Sequence, residues 1–173
     1  MVVSHLMKKL EDRGQSTFYR NVPESLIPTP EQWQTLDAGE EVIMMGCPWG
    51  IHDDVNKLPL ARRGALASFP GLDFNGKPEF VVDVAIFSGS SGSPIFLNSF
   101  FTFNPKSGEY ELRPRSLFLG ILKSGMEILP EAEEGSRADN EASGKPLHLG
   151  LAIKSTELRP LFDVIRNFAR TGV

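Results

Sequence analysis

"FSGSSGSPIF", residues 87–96, is the stretch on which the reading of this chain turns. It separates two apolar runs, "EFVVDVAIF" (79–87) and "SPIFLNSFFTF" (93–103), both of which read as buried strands. A plain hairpin would need only about two to four turn residues, usually marked by Asn-Gly or Asp-Gly. Here Gly89 and Gly92 bracket Ser90 and Ser91, and Pro94 follows. Glycines on both sides of Ser91 let the backbone turn tightly, present its hydroxyl outward and aim successive N–H groups into one small space. A serine beside converging N–H donors is the arrangement acyl transfer needs, because those donors stabilise the oxyanion formed on attack. The loop therefore reads as a nucleophile turn.

Working outward, the chain from Glu41 onward is a series of short apolar runs bounded by turns: "EVIMMGC", "ARRGALASF", "EFVVDVAIF", "SPIFLNSFFTF", "GEYELR", "SLFLGILK" and "LHLGLAIK". Seven short strands with Gly and Pro punctuation predict a mainly β fold, an antiparallel barrel or sandwich. "NPKSGE" is a good hairpin turn, with Pro105 early and Gly108 able to take a positive φ. Residues 127–146 are acidic and polar and read as a mobile surface insertion. Val3, Leu6, Met7 and Leu10 predict a short N-terminal helix stopped at Gly14, and residues 15–39 read as a wandering connector. At the other end, Leu158, Leu161, Phe162, Ile165 and Phe168 form an apolar stripe, predicting a helix capped by Ser155 or Thr156 and packed on the barrel. The domain expectation is 1–39 as helix and connector, and 40–173 as barrel with C-terminal helix.

With 173 residues, 40% of them hydrophobic and 23% charged, the chain is sized and composed for one domain with a real core. A net charge of -4 offers no basic footprint, so nucleic acid is not expected as a partner, nor an anionic membrane surface. No apolar run approaches the roughly 20 residues of a membrane-spanning helix, and the N-terminus has the reverse order of a secretory signal. The single cysteine, Cys47, excludes an internal disulfide, and a reducing, cytoplasmic location is expected. Flanked by Gly46 and Pro48 and lacking a basic neighbour, Cys47 reads as packed. "HDD" at 52–54 reads as a solvated turn and "NGKPEF" as a turn without the rest of a phosphate loop, so neither a metal nor a cofactor is expected.

The segment Gly89-Ser90-Ser91-Gly92-Ser93-Pro94 resembles the G-x-S-G-[GS]-P motif of the trypsin-like (chymotrypsin-fold) serine peptidases. The resemblance extends to "VIMMGCPWGIHDDVNKLPLARRGALAS" upstream, and to "FLGILKSG" and "LGLAIKSTELRPLF" downstream, the last being similar to bacterial Deg-type members. It covers roughly 41–168 and implies the second, Greek-key β-barrel of that fold. It further implies a hydrolase in which Ser91 attacks a peptide bond and the N–H groups of Gly89 and Ser91 form the oxyanion hole. Lys123, Ser124 and Gly125 would then lie along a peptide or protein substrate. Ala85 would sit at the base of the specificity pocket, with Gly150 on its wall and Phe87 close enough to fill it. A small apolar base suits an uncharged side chain.

Two departures from the family pattern carry consequences. Ser90 stands where digestive members have an acid, so activation by N-terminal cleavage is not implied. The family's His and Asp lie in a first barrel, whereas only 90 residues precede Ser91, and the catalytic Asp would fall just before "VVSHLMKKLEDRGQSTFYR". The expectation is thus a second barrel without its first, incomplete or inactive alone, with an apolar face exposed to self-association as a homo-oligomer. His5, His52 and His148 read as replacing the missing base less well than as ordinary turn or strand residues. The alternative is a non-catalytic barrel that binds peptides or proteins in the same cleft. An α/β-hydrolase elbow is excluded, because Ser93 occupies its last glycine position and no βαβ pattern surrounds it.

Overall fold

Six antiparallel strands close into a barrel in the computed structural model, which describes residues 8–14, 21–104, 108–128 and 145–171. The strands are β1 (Glu41–Gly46), β2 (Leu60–Leu66), β3 (Glu79–Asp83), β4 (Pro94–Asn104), β5 (Glu109–Ile128) and β6 (Lys145–Lys154). Around the barrel they run β1-β2-β3-β6-β5-β4, and β4 returns to β1 through Val42↔Leu97, Ile43↔Phe96 and Met44↔Ile95. Alternation along each strand explains the core: Val42 and Met44, Val82 and Val84, Ile95 and Leu97 all point inward and are buried. The fold is therefore mainly β, and its helices include α1 (Pro30–Trp33) and α2 (Arg159–Thr171). No described helix is long and apolar enough to cross a membrane.

Seven strand runs become six strands because "GEYELR" and "SLFLGILK" form one continuous β5 of 20 residues. Pro114 lies within it, at the register shift between Ser99↔Arg115 and Phe101↔Leu112, where β5 carries one residue more than β4. A ladder interrupted at that point needs no donor from proline, so the strand runs through. The hairpin turn at 105–107 lies outside the described residues, but Asn104↔Glu109 pairing and a φ of 72° at Gly108 frame it. Most of the acidic insertion, 129–144, also lies outside them, while Glu127 belongs to β5 and Lys145 to β6.

The connector is more than a connector. Thr29 and Gln32 form a reciprocal capping box around α1, with Pro30 at the first helical position. This turn carries Trp33 and Leu36 into the barrel core, Trp33 lying 6.1 Å from the Phe80 ring. Trp33 and Leu36 thus belong to the barrel's core. The C-terminal helix behaves in the opposite way: Phe162 is half-buried, but Leu161, Ile165 and Phe168 are each more than half exposed. The expected packing of the whole stripe on the barrel is not found; beside half-buried Phe162, Arg166 of α2 forms an ion pair with Glu24 at 2.7 Å. Of the N-terminal helix, residues 8–11 are helical, and 1–7 lie outside the described residues.

Glu41, the first residue of β1, ties three strands together. Its carboxylate accepts from Arg63 Nη2 on β2 and from Asn98 Nδ2 on β4, the latter at 2.9 Å. The Arg63 bond foremost, then Asn98, holds this carboxyl below the usual glutamate range. A carboxylate depressed in the folded state contributes stability that is complete above its unfolded pKa of about 4.3 and lost as pH falls through the folded value. Urea unfolding across this range should show wild type losing stability more steeply with acid than Glu41→Gln; equal slopes would remove Glu41 from the account.

Candidate functional site

The 87–94 loop enters β4 at the barrel mouth, and its backbone is held at both ends. On one side, Gly92 N–H donates to Leu122 C=O (2.8 Å) and Leu122 N–H donates to Ser93 C=O (2.9 Å), which anchors the loop to β5. On the other, Trp49 N–H donates to Ser88 C=O at 2.7 Å. Inside the loop, Ser90 N–H donates to Phe87 C=O (3.0 Å), Ser93 N–H to Ser90 C=O (3.1 Å), and the Ser90 hydroxyl accepts from Phe87 N–H (3.3 Å). Ser90 is consequently buried as a structural member, while its neighbour Ser91 is exposed. Gly46, at the end of β1, leaves the room that the Ser93 side chain occupies.

Gly89 and Gly92 take φ of 84° and 86°, the left-handed region expected of a turn that presents the residue between them. At Gly89 there is a second demand, for a Cβ would lie 3.2 Å from both Cys47 O and Trp49 N. Among the described residues, neither the Gly89 N–H nor the Ser91 N–H has a protein hydrogen-bond partner, and the Ser91 hydroxyl has none. Two backbone donors and a hydroxyl are thus left to solvent or ligand within three residues. Both residues are exposed, so these donors are open to water or to a ligand.

Ser91 stands between two cavities. The first, about 880 Å³, is an apolar groove between the loop, β1 and β4, lined by Val22, Leu26, Ile43, Met45, Pro59 and Phe96, with Cys47 beside Gly89. The second, about 640 Å³, lies between the loop, β5 and β6 and is lined by Trp49, Ile86, Phe87, Ser124, Gly125, Met126 and His148. Ser124 and Gly125 were expected along a ligand chain and do line this second cavity. Beyond Ile121, β5 has no further β4 pairing and keeps only β6 beside it, so its edge from Lys123 onward faces the cavity side unladdered among the described residues.

Other expected residues are placed differently. Ala85 is exposed and its C=O accepts from Arg62 Nη1 (2.8 Å); Ile86 lines the cavity in its stead. The reason is the period of two: Val82 and Val84 face the core, so Ile86 continues their side and Ala85 follows Asp83 outward. Gly150 is the wall behind Ile86, since a Cβ there would run into Ile86 Cδ1. Lys123 is committed elsewhere, its Nζ 2.7 Å from Glu79 Oε1. Asp53 of the "HDD" run caps its own turn, accepting from Val55 N–H and Asn56 N–H at 2.9 Å each. The Asn56 backbone bond first, and its side-chain amide next, lower the Asp53 pKa. Sequence reasoning missed Trp49, whose ring lies 4.7 Å from Phe87 and whose φ is 52°; "CPWG" marks a turn, but no sequence signal predicts an aromatic residue in the left-handed region.

Compared with known proteins, the chain matches no family model and no curated protein. The geometry itself makes a prediction: Gly89→Ala should cost about 1–3 kcal/mol, from its φ and its contact with the 47–50 turn. Ser91→Ala, at an exposed position, should stay within about 0.5 kcal/mol of wild type. Urea denaturation checks both, and an unchanged midpoint for Gly89→Ala would show that the turn yields freely.

Proposed function

We propose that this barrel is a trypsin-like serine peptidase domain in which Ser91 is the nucleophile and the Gly89 and Ser91 N–H groups bind the oxyanion. The observation that carries the reading is the pair of unpartnered N–H donors flanking an exposed serine hydroxyl between two cavities. The strand order supports it, since β4-β1-β2-β3 and β3-β6-β5-β4 are each three sequential strands with a fourth returned beside them, the Greek-key arrangement of the barrel that the motif resembles. Ser91 Oγ would attack the carbonyl carbon of a peptide and give its proton to a base. The base would then protonate the departing amine, and water would release the acyl group by the same steps in reverse. A peptide chain would add to the open edge of β5 beside Ser124 and Gly125, as strands add to sheet edges generally.

Among the described residues no imidazole is hydrogen-bonded to Ser91. The reaction needs a base brought to Ser91, and the apolar groove along β1 and β4 offers a seat for an element that carries one. Without the base, the oxyanion hole and binding alone leave only about 10³–10⁴ over the uncatalysed rate.

A fluorophosphonate probe tests the reading, with imidazole added as a free base. Labelling of the folded chain should rise with imidazole and be lost in Ser91→Ala. If the folded chain does not label at Ser91 even with imidazole present, the barrel is a peptide-binding module whose cleft does no chemistry.

A further inference from the structure

Trp49 holds an unfavourable backbone conformation at a surface turn, and its neighbours account for that. The Ser88 carbonyl and the Gly89 N–H belong to one planar trans peptide, so they point in opposite directions. The Trp49 N–H grips that carbonyl at 2.7 Å, which fixes where the Gly89 N–H must aim. Turning the peptide over would break this bond and put the Ser88 carbonyl oxygen on the side to which the Gly89 N–H now points. Gly89 itself would offer little resistance to such a turn, because glycine accepts both signs of φ. The restraint has to come from the 47–50 turn.

That turn is built to stay in place. Trp49 takes φ 52° and ψ 26° inside a turn closed by the Gly50 N–H to Cys47 C=O bond of 2.9 Å. A bulky residue is found there only where its surroundings over-determine it. Although Trp49 is 65% exposed, its ring lies tilted at 39° against Phe87, the centroids 4.7 Å apart. Phe87 is in turn covered by the Arg62 guanidinium at 4.8 Å from its centroid and met edge-on by His148 at 6.0 Å. The turn therefore takes hold of adjacent residues by two means, Phe87 through its ring and Ser88 through its backbone. The left-handed φ of Trp49 is what lets one residue make both contacts.

We infer that Trp49 is a positioning residue: its backbone N–H locks the Ser88–Gly89 peptide and so fixes the direction of the Gly89 N–H, and its ring against Phe87 keeps the lock closed. This rests on the reading of Ser91 as the nucleophile for its catalytic meaning, though not for its structural content. Without the lock, one of the two oxyanion donors would be replaced by an acceptor.

The test uses full-length chain with four changes. Trp49→Phe keeps N–H and ring, Trp49→Gly keeps the N–H alone, and Trp49→Pro removes the N–H but cannot adopt a positive φ. An amide-to-ester exchange at the Pro48–Trp49 bond removes the N–H with little other change and covers the case in which the proline variant misfolds. Amide hydrogen exchange and the ¹H–¹⁵N signal of Gly89 are read alongside fluorophosphonate labelling in imidazole and thermal stability. The expected result is a protected Trp49 amide and a single Gly89 signal in wild type and Trp49→Phe. The Gly89 signal should split or broaden in the ester variant at nearly wild-type melting temperature, and labelling should fall about tenfold or more, as when an oxyanion donor is lost. A Trp49 amide that exchanges freely in wild type, or a Gly89 signal indifferent to the ester, overturns the lock. Absence of labelling in every variant, with the Gly89 signals behaving as expected, sinks the peptidase reading and leaves the lock standing.

Discussion

Closure of the barrel between β1 and β4 is the constraint on which the rest of the structure depends. Only three residue pairs make it, Val42↔Leu97, Ile43↔Phe96 and Met44↔Ile95, yet they bring the start of β4 against the end of β1. The 87–94 loop runs directly into β4, and the 47–50 turn leaves β1 directly. Closing the ladder therefore brings these two loops together without any contact of their own having to find the other. The bond between Trp49 N–H and Ser88 C=O, and the tilted contact of the Trp49 and Phe87 rings, follow as consequences.

Inside the barrel, the alternating pattern supplies the driving force for this closure. Val42, Met44, Ile95 and Leu97 are almost wholly buried on opposite sides of the seam, and burial of such side chains is worth about 1.5–3 kcal/mol each. Trp33 and Leu36 add to the same core from before the first strand. Polar groups at the rim settle register more than they add stability. Glu41 meets Arg63 and Asn98 across two ladders, and Glu79 meets Lys123 at 2.7 Å. A slip of one residue in any of these strands would turn both the apolar set and these partners to the wrong face.

The candidate site is mostly backbone. Its donors are N–H groups, its shape is set by two glycines at positive φ, and its single reactive side chain lies on the exposed side of a turn whose buried side is Ser90. Such a site needs no charge placed nearby in the sequence, and composition alone therefore carried no sign of it. It does need a scaffold that holds peptide planes still, which a closed ladder on either side provides.

Read from residues alone, the spacing of apolar runs specified a mainly β chain, and Gly89-Ser90-Ser91-Gly92 specified a tight turn presenting one hydroxyl, because strand alternation and glycine's conformational freedom are local properties. Ser124 and Gly125, expected along a ligand chain through a resemblance, line a cavity together with Ser91. What the tertiary structure decided are facts of pairing between distant segments. Ile86 rather than Ala85 lines the cavity, since facing follows from the direction of β3 in the sheet. Pro114 is accommodated inside β5, since it falls at a bulge of that strand against β4. Trp33 is core rather than connector, and the stripe of α2 is left largely open. The partner of the Ser88 carbonyl belongs with these, because it comes from a turn 39 positions earlier that only barrel closure brings within 2.7 Å.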